Sequence, residues 1–171
     1  MRMGMRRFLA ILAVLLPGLA LAQAEVPFGG LEHDASLPVE ITSDRLDLDQ
    51  AAGTAVFTGQ VKVGQGTLRL AADRVQVFYD AEATGPTGKV NRMVATGNVT
   101  LANGTEAAEA DHAVYEVAAG TIAMDGNVLL TQGQNALSSE RLDIDLNKGT
   151  GRLEGRVQTI FVPGTQPGAS P

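Results

Sequence analysis

Asp44-Arg45-Leu46-Asp47-Leu48-Asp49 alternates polar and apolar residues after an acidic start, and it decides the fold because the chain repeats it. The strip returns as Asp73-Arg74-Val75-Gln76-Val77, as Asp111-His112-Ala113-Val114-Tyr115-Glu116 and as Glu140-Arg141-Leu142-Asp143-Ile144-Asp145. A second strip recurs around a glycine, in Thr58-Gly59-Gln60-Val61-Lys62-Val63, Thr96-Gly97-Asn98-Val99-Thr100-Leu101, Asp125-Gly126-Asn127-Val128-Leu129-Leu130 and Glu154-Gly155-Arg156-Val157-Gln158. The acidic starts at 44, 73, 111 and 140 are 29, 38 and 29 residues apart, and the glycines at 59, 97, 126 and 155 are 38, 29 and 29 apart. A single nine-residue insertion within residues 80–89 (DAEATGPTGK) accounts for both departures from the period. Self-similarity at a fixed period of this length marks a repeat architecture.

Each strip alternates with period two, the signature of a strand wet on one face and dry on the other. In the acidic strip Leu46, Leu48, Val75, Val77, Tyr115, Leu142 and Ile144 fall on the dry face. In the glycine strip Phe57, Val61, Val63, Met93, Val99, Leu101, Ile122, Met124, Val128 and Leu130 share a face with the glycines. A glycine inside a strand weakens it and usually marks a bulge or bend. Four equivalent bends fold each unit back on itself, and 29 residues suffice for three or four short strands with turns. The expectation is an all-β, curled two-sheet repeat structure with a shared apolar interior and essentially no helix. The first strand, residues 40–49, and the last, residues 152–161, are its natural edges, and an unpaired edge is open to strand addition.

The flanks read differently. Arg2, Arg6 and Arg7 precede an apolar run over residues 8–16, and Ala20-Leu21-Ala22 supplies the small residues of a cleavage site. Residues 1–22 are therefore expected to be a signal peptide cleaved near Ala22. Residues 23–38 form a flexible lead-in, residues 39–162 the folded domain, and residues 163–171 a disordered Pro/Gly/Ser tail. Without residues 1–22 the charge is 10 − 19 = −9, counting 10 of the 13 Lys+Arg and all 19 Asp+Glu. An acidic chain with scattered bases is a poor nucleic-acid binder, since phosphate binding needs a basic stripe.

Chemistry-bearing constellations are sparse. The chain has no cysteine, and only two histidines, His33 in the lead-in and His112 in the position held by Arg45, Arg74 and Arg141 in the other copies. Zinc then lacks a ligand set. Strand carboxylates such as Asp47, Asp49, Asp143 and Asp145 line a wet face, whereas calcium needs six to eight convergent oxygens. No GxSxG elbow occurs and no carboxylate pair stands out, so neither an enzyme nor a cofactor is expected. Lys62, Arg69 and Arg74 are candidate contacts for anionic headgroups at a rim.

Ile41-Thr42-Ser43-Asp44-Arg45-Leu46, Ala55-Val56-Phe57-Thr58-Gly59-Gln60-Val61-Lys62-Val63, Ala95-Thr96-Gly97-Asn98-Val99-Thr100-Leu101 and Asp125-Gly126-Asn127-Val128, in that order, resemble the OstA-like lipopolysaccharide-transport family over residues 39–162. The resemblance implies a twisted antiparallel β-jellyroll with open ends. It implies that the apolar residues named above hold lipopolysaccharide acyl chains in the periplasm. It also implies edge-to-edge joining, from an inner-membrane-anchored relative through a bridge to the N-terminal domain of the outer-membrane translocon, and between copies of the chain. Two rivals remain at this point: an OstA-like binder of a different amphiphile, and a self-assembling β-solenoid whose apolar interior is closed and dry.

Overall fold

The structure, a computed structural model, describes residues 24–27, 34, 36–79 and 89–161. Its strands are β1 (Ala24–Pro27), β2 (Glu40–Thr42), β3 (Arg45–Asp49), β4 (Thr54–Gln65), β5 (Leu68–Tyr79), β6 (Val90–Asn103), β7 (Glu106–Glu116), β8 (Thr121–Gln132), β9 (Asn135–Asp145), β10 (Thr150–Glu154) and β11 (Gln158–Ile160). No helix occurs among the described residues. The core is an antiparallel meander in the order β1-β10-β9-β8-β7-β6-β5-β4-β2, with β3 also on β4 and β11 also on β9.

The repeat does not deliver three or four short strands per unit. It delivers two long ones, each bent at its middle, because the two strips form a single device. In β6, Thr96 pairs with His112 and Val99 with Ala110, so Gly97 and Asn98 together oppose Asp111 alone. Gly97 and Asn98 both sit at positive φ (79° and 46°), as do Gly59 and Gln60 (83° and 43°) and Gly126 and Asn127 (80° and 51°). Glycine enters that left-handed region freely, and asparagine enters it more readily than most residues. The acidic residue of the preceding strand packs on the bend: Asn98 Nδ2 donates to Asp73 Oδ2 and Asn127 Nδ2 to Asp111 Oδ2, both at 2.8 Å. A Cβ on Gly126 would lie 2.6 Å from Asp111 Oδ2. Any larger residue would force Asp111 to shift.

These bends divide every long strand between two sheets. Sheet I holds β1, β3, β10 and the halves of β4 to β9 that reach Thr54, Tyr79, Val90, Glu116, Thr121 and Asp145. Sheet II holds β2, β11 and the complementary halves. The inner faces of both are buried, with Val75, Leu101, Met124, Leu130, Leu142 and Leu153 at 0% exposure. With no helix to cover them, the sheets bury their apolar faces on each other. One side chain confirms the closure directly: Tyr115 Oη, on sheet I, donates to Gln65 Oε1, on sheet II, at 2.8 Å.

Two expectations need correction. Within the lead-in, Ala24–Pro27 is a strand on β10, with Val26 packed against the core. The first edge is not one strand but β2 and β3, split at Ser43-Asp44, where Asp44 N donates to Gly59 O at 3.0 Å. The split is this strand's share of the common bend. The signal peptide, the tail from 163 and nearly all of the insertion lie outside the described residues.

The apolar interior and its open ends as candidate functional site

Fifteen of the expected lining residues converge between the sheets. Val61, Val63, Val75, Val77, Met93, Val99, Leu101, Tyr115, Ile122, Met124, Val128, Leu130, Leu142 and Ile144 are buried, and Phe57 is half-buried against them. Through the middle of the molecule this lining packs on itself. Leu46 and Leu48 differ, at 50% and 41% exposure. They pair with Phe57 and Ala55 across β3–β4 and share their inward face. Among the described residues no strand lies beyond β3, and the inward face of Leu46 and Leu48 is left uncovered. The interior therefore opens at the β2–β3 end. The opposite end carries its own exposed apolar residues, Ile160 (67%) and Phe161 (71%).

Sequence reading missed the polar pair inside this lining. Gln65 is 7% exposed, and its Nε2 donates to Leu37 O at 3.2 Å while its Oε1 accepts from Tyr115. Burial pushes the Tyr115 phenol up to about 12, because the phenolate would lose its hydration. The signal was present, since Gln65 continues the inward register of Val61 and Val63.

The basic residues lie elsewhere. Lys62 faces outward on sheet II, and with Glu40 and Arg69 it borders an open depression of about 460 Å³. The Arg69 guanidinium donates to Gly66 O (2.6 Å) and Leu68 O (2.8 Å), which ties it to its own turn. Arg74 lies across the bend on sheet I. The three form no common headgroup cluster, because the bend sends them to different sheets. The acidic face of sheet I holds paired charges: Arg45 and Arg141 each make two bonds of 2.6–2.9 Å to Asp47 and Asp143, and the bond from Arg45 holds the Asp47 carboxyl below its ordinary value. His112 Nδ1 lies 3.2 Å from Asp125 Oδ2. No group of three metal-ligating side chains occurs among the described residues.

A family profile described as the LptA/(LptD N-terminal domain) LPS transport protein matches residues 40–150. The chain belongs to this family. Among members of the LptA/LptD-N family and similar proteins, an uncharacterized protein of Rhizobium meliloti (strain 1021) is 32% identical over 159 residues, covering 88% of this chain and 86% of that one. The lipopolysaccharide export system protein LptA of Escherichia coli (strain K12) is 35% identical over 78 residues, 46% of this chain and 39% of that protein's length. The crystal structure of LptH, the LptA-homologous periplasmic component of the lipopolysaccharide transport device of Pseudomonas aeruginosa, superposes with a TM-score of 0.66 at 18% identity, covering 77% of this chain and 99% of that one. The all-β antiparallel architecture is thus that of the LptA-like jellyroll, as expected.

Proposed function

We propose that this chain is a periplasmic lipopolysaccharide-binding transport protein that shields acyl chains between its two sheets and bridges inner- and outer-membrane components, without catalysis. The observation that carries the reading is the unroofed end of the interior, where Leu46 and Leu48 present lining residues to solvent in continuity with the buried strip. Exposing one acyl chain of about twelve carbons to water costs roughly 10 kcal/mol at about 0.8 kcal/mol per methylene. A sheet-lined slot offsets that cost without specific chemistry, and Met93 and Met124 add adaptable contacts. Its partners are an inner-membrane-anchored relative at one end, the N-terminal domain of the outer-membrane translocon at the other, and further copies of the chain between them. A photoreactive residue at Leu46 or Val128, irradiated in the presence of lipopolysaccharide, should give a lipid adduct. Adducts at neither position would refute the reading. They would favour the second one, a self-assembling sandwich with a dry interior, which draws on the close packing around Leu101 and Leu130.

A further inference from the structure

The two ends of the molecule match each other except for one short strand. β10 and β11 are the two halves of a last bent strand, hinged at Gly155, and both lie directly on β9. β2 and β3 are the halves of a first bent strand, hinged at Asp44, and both lie on β4. Among the described residues β1 has no such counterpart, for it extends sheet I one strand beyond the rank that sheet II reaches.

We propose that β1 occupies the docking edge for the next molecule, and that the occupant of that edge, once β1 leaves, is the first bent strand (β2 and β3) of a second copy. The inference rests on the edge-to-edge reading above and specifies the step that reading requires. Polarity argues for it first. Following the antiparallel order, β10 runs parallel to β4 and hence opposite to β3, so β3 of an identically oriented second copy meets β10 antiparallel. β1 runs opposite to β10, so the same β3 would meet β1 parallel, in a sheet that is otherwise wholly antiparallel. In sheet II, β11 and an incoming β2 are already opposed.

Rank argues for it independently. An incoming first strand is continuous through Ser43-Asp44, and it can lie against β10 and β11 together but not against β1 and β11, which stand at different distances from β9. The bend then continues across the junction. Along the chain, acidic and glycine bends alternate, with Asp44 on Gly59, Asp73 on Gly97, Asp111 on Gly126 and Glu140 on Gly155. The series begins on an acid and ends on a glycine, so Asp44 of the next copy falls beside Gly155. Leu46 and Leu48, unroofed in the single molecule, continue the inner face of Gly151 and Leu153.

The hold of β1 on β10 is short, and Val26 is its one side chain packed against the core among those described. It covers four register pairs, from Ala24–Leu153 to Pro27–Thr150, and ends in a proline that has no N–H to give. Gln132 Nε2 reaches Pro27 O but also serves Glu106 Oε1, and Glu106 Oε2 stays buried with no partner.

The test compares three forms of the chain from Gln23 onward by sedimentation velocity across a micromolar series. They are the parent, a form lacking residues 23–27, and Glu25→Cys/Arg152→Cys. The cysteines replace register partners, whose Cα spacing in an antiparallel pair suits a disulfide, and the parent has no cysteine to compete. Deletion should lower the concentration of half-assembly at least about tenfold. The oxidised double-cysteine form should stay monomeric and assemble on reduction, a readout that holds even where the deletion impairs folding. Equal assembly with the disulfide closed or open overturns the proposal and leaves the bridging reading standing. Absence of assembly in every form, deletion included, overturns both.

Discussion

Gly126→Ala tests the bend on which the whole architecture depends. Gly126 sits at φ +80°, and an added Cβ meets Asp111 Oδ2 at 2.6 Å and Asp111 Cβ at 2.8 Å. Moving a residue with a Cβ into the left-handed region costs roughly 1–2 kcal/mol. The clash also displaces the Asp111 carboxylate from its bond to Asn127 Nδ2, and losing a hydrogen bond to a charged group costs about 1.5 kcal/mol at such an exposed site. Together these give about 3 kcal/mol, or a Tm lower by about 6–12 °C for a chain of this size. Gly104→Ala is the matched control, with φ +59° and nothing within 4 Å of its Cβ. It should lose only the backbone part, roughly 1 kcal/mol and about 2–4 °C. Calorimetry of both variants decides the matter. If Gly126→Ala costs no more than Gly104→Ala, the packing of acid on glycine does not enforce the bend.

Tyr115→Phe should cost about 1–2 kcal/mol at neutral pH, since it leaves Gln65 Oε1 buried without its donor. Because the folded Tyr115 phenol is raised to about 12, the native state keeps a proton that the unfolded chain releases from about pH 10. Parent stability is therefore undiminished below that pH and falls as pH rises toward 12; a Tm series over this range should fall less steeply for Tyr115→Phe, and equal slopes would contradict the assignment. Leu130→Ala, at 0% exposure, should cost about 2–5 kcal/mol in denaturant unfolding. Leu46→Ala, at 50% exposure, should cost under about 1 kcal/mol while weakening lipid crosslinking at the open end. Removing residues 158–162 should abolish end-to-end assembly and spare most of the β circular-dichroism signal, because β11 is exposed throughout; cutting back to residue 152 would also remove Leu153, which is fully buried, so unchanged assembly in the shorter truncation is the outcome that counts against β11.

Most of the fold was legible because its determinants are local. Period-two alternation at Leu142 and Ile144, or at Val61 and Val63, reports a strand face from neighbours in sequence, and the spacing of Asp44, Asp73, Asp111 and Glu140 reports the repeat. The strand count was not legible from these cues. Nothing within one strip says whether a glycine ends a strand or bends it, and the answer lies in the carboxylate that the adjacent strand places on it. β1 was illegible for a related reason. Ala24 to Pro27 carries no pattern of its own and becomes a strand because β10 offers an unpaired edge more than a hundred residues away in sequence.

The lining was legible as a set and not as a surface. Alternation places Leu46 and Leu101 on the same face, yet one is half in water and the other sealed, because Leu46 lies on an edge strand and Leu101 on a central one. The same limit applies to how a guest would enter. At the acid–glycine line the sheets are joined by continuous strands, which cannot part there. They can part only along the far rim, where Tyr115 meets Gln65. A polar bond inside an apolar lining weakens the dry-core account of this interior, since an aliphatic pair would seal it without needing a partner. Placed at the rim farthest from the bends, the bond joins the two sheets there, as the bond from Gln132 Nε2 to Pro27 O joins them at the β1 end.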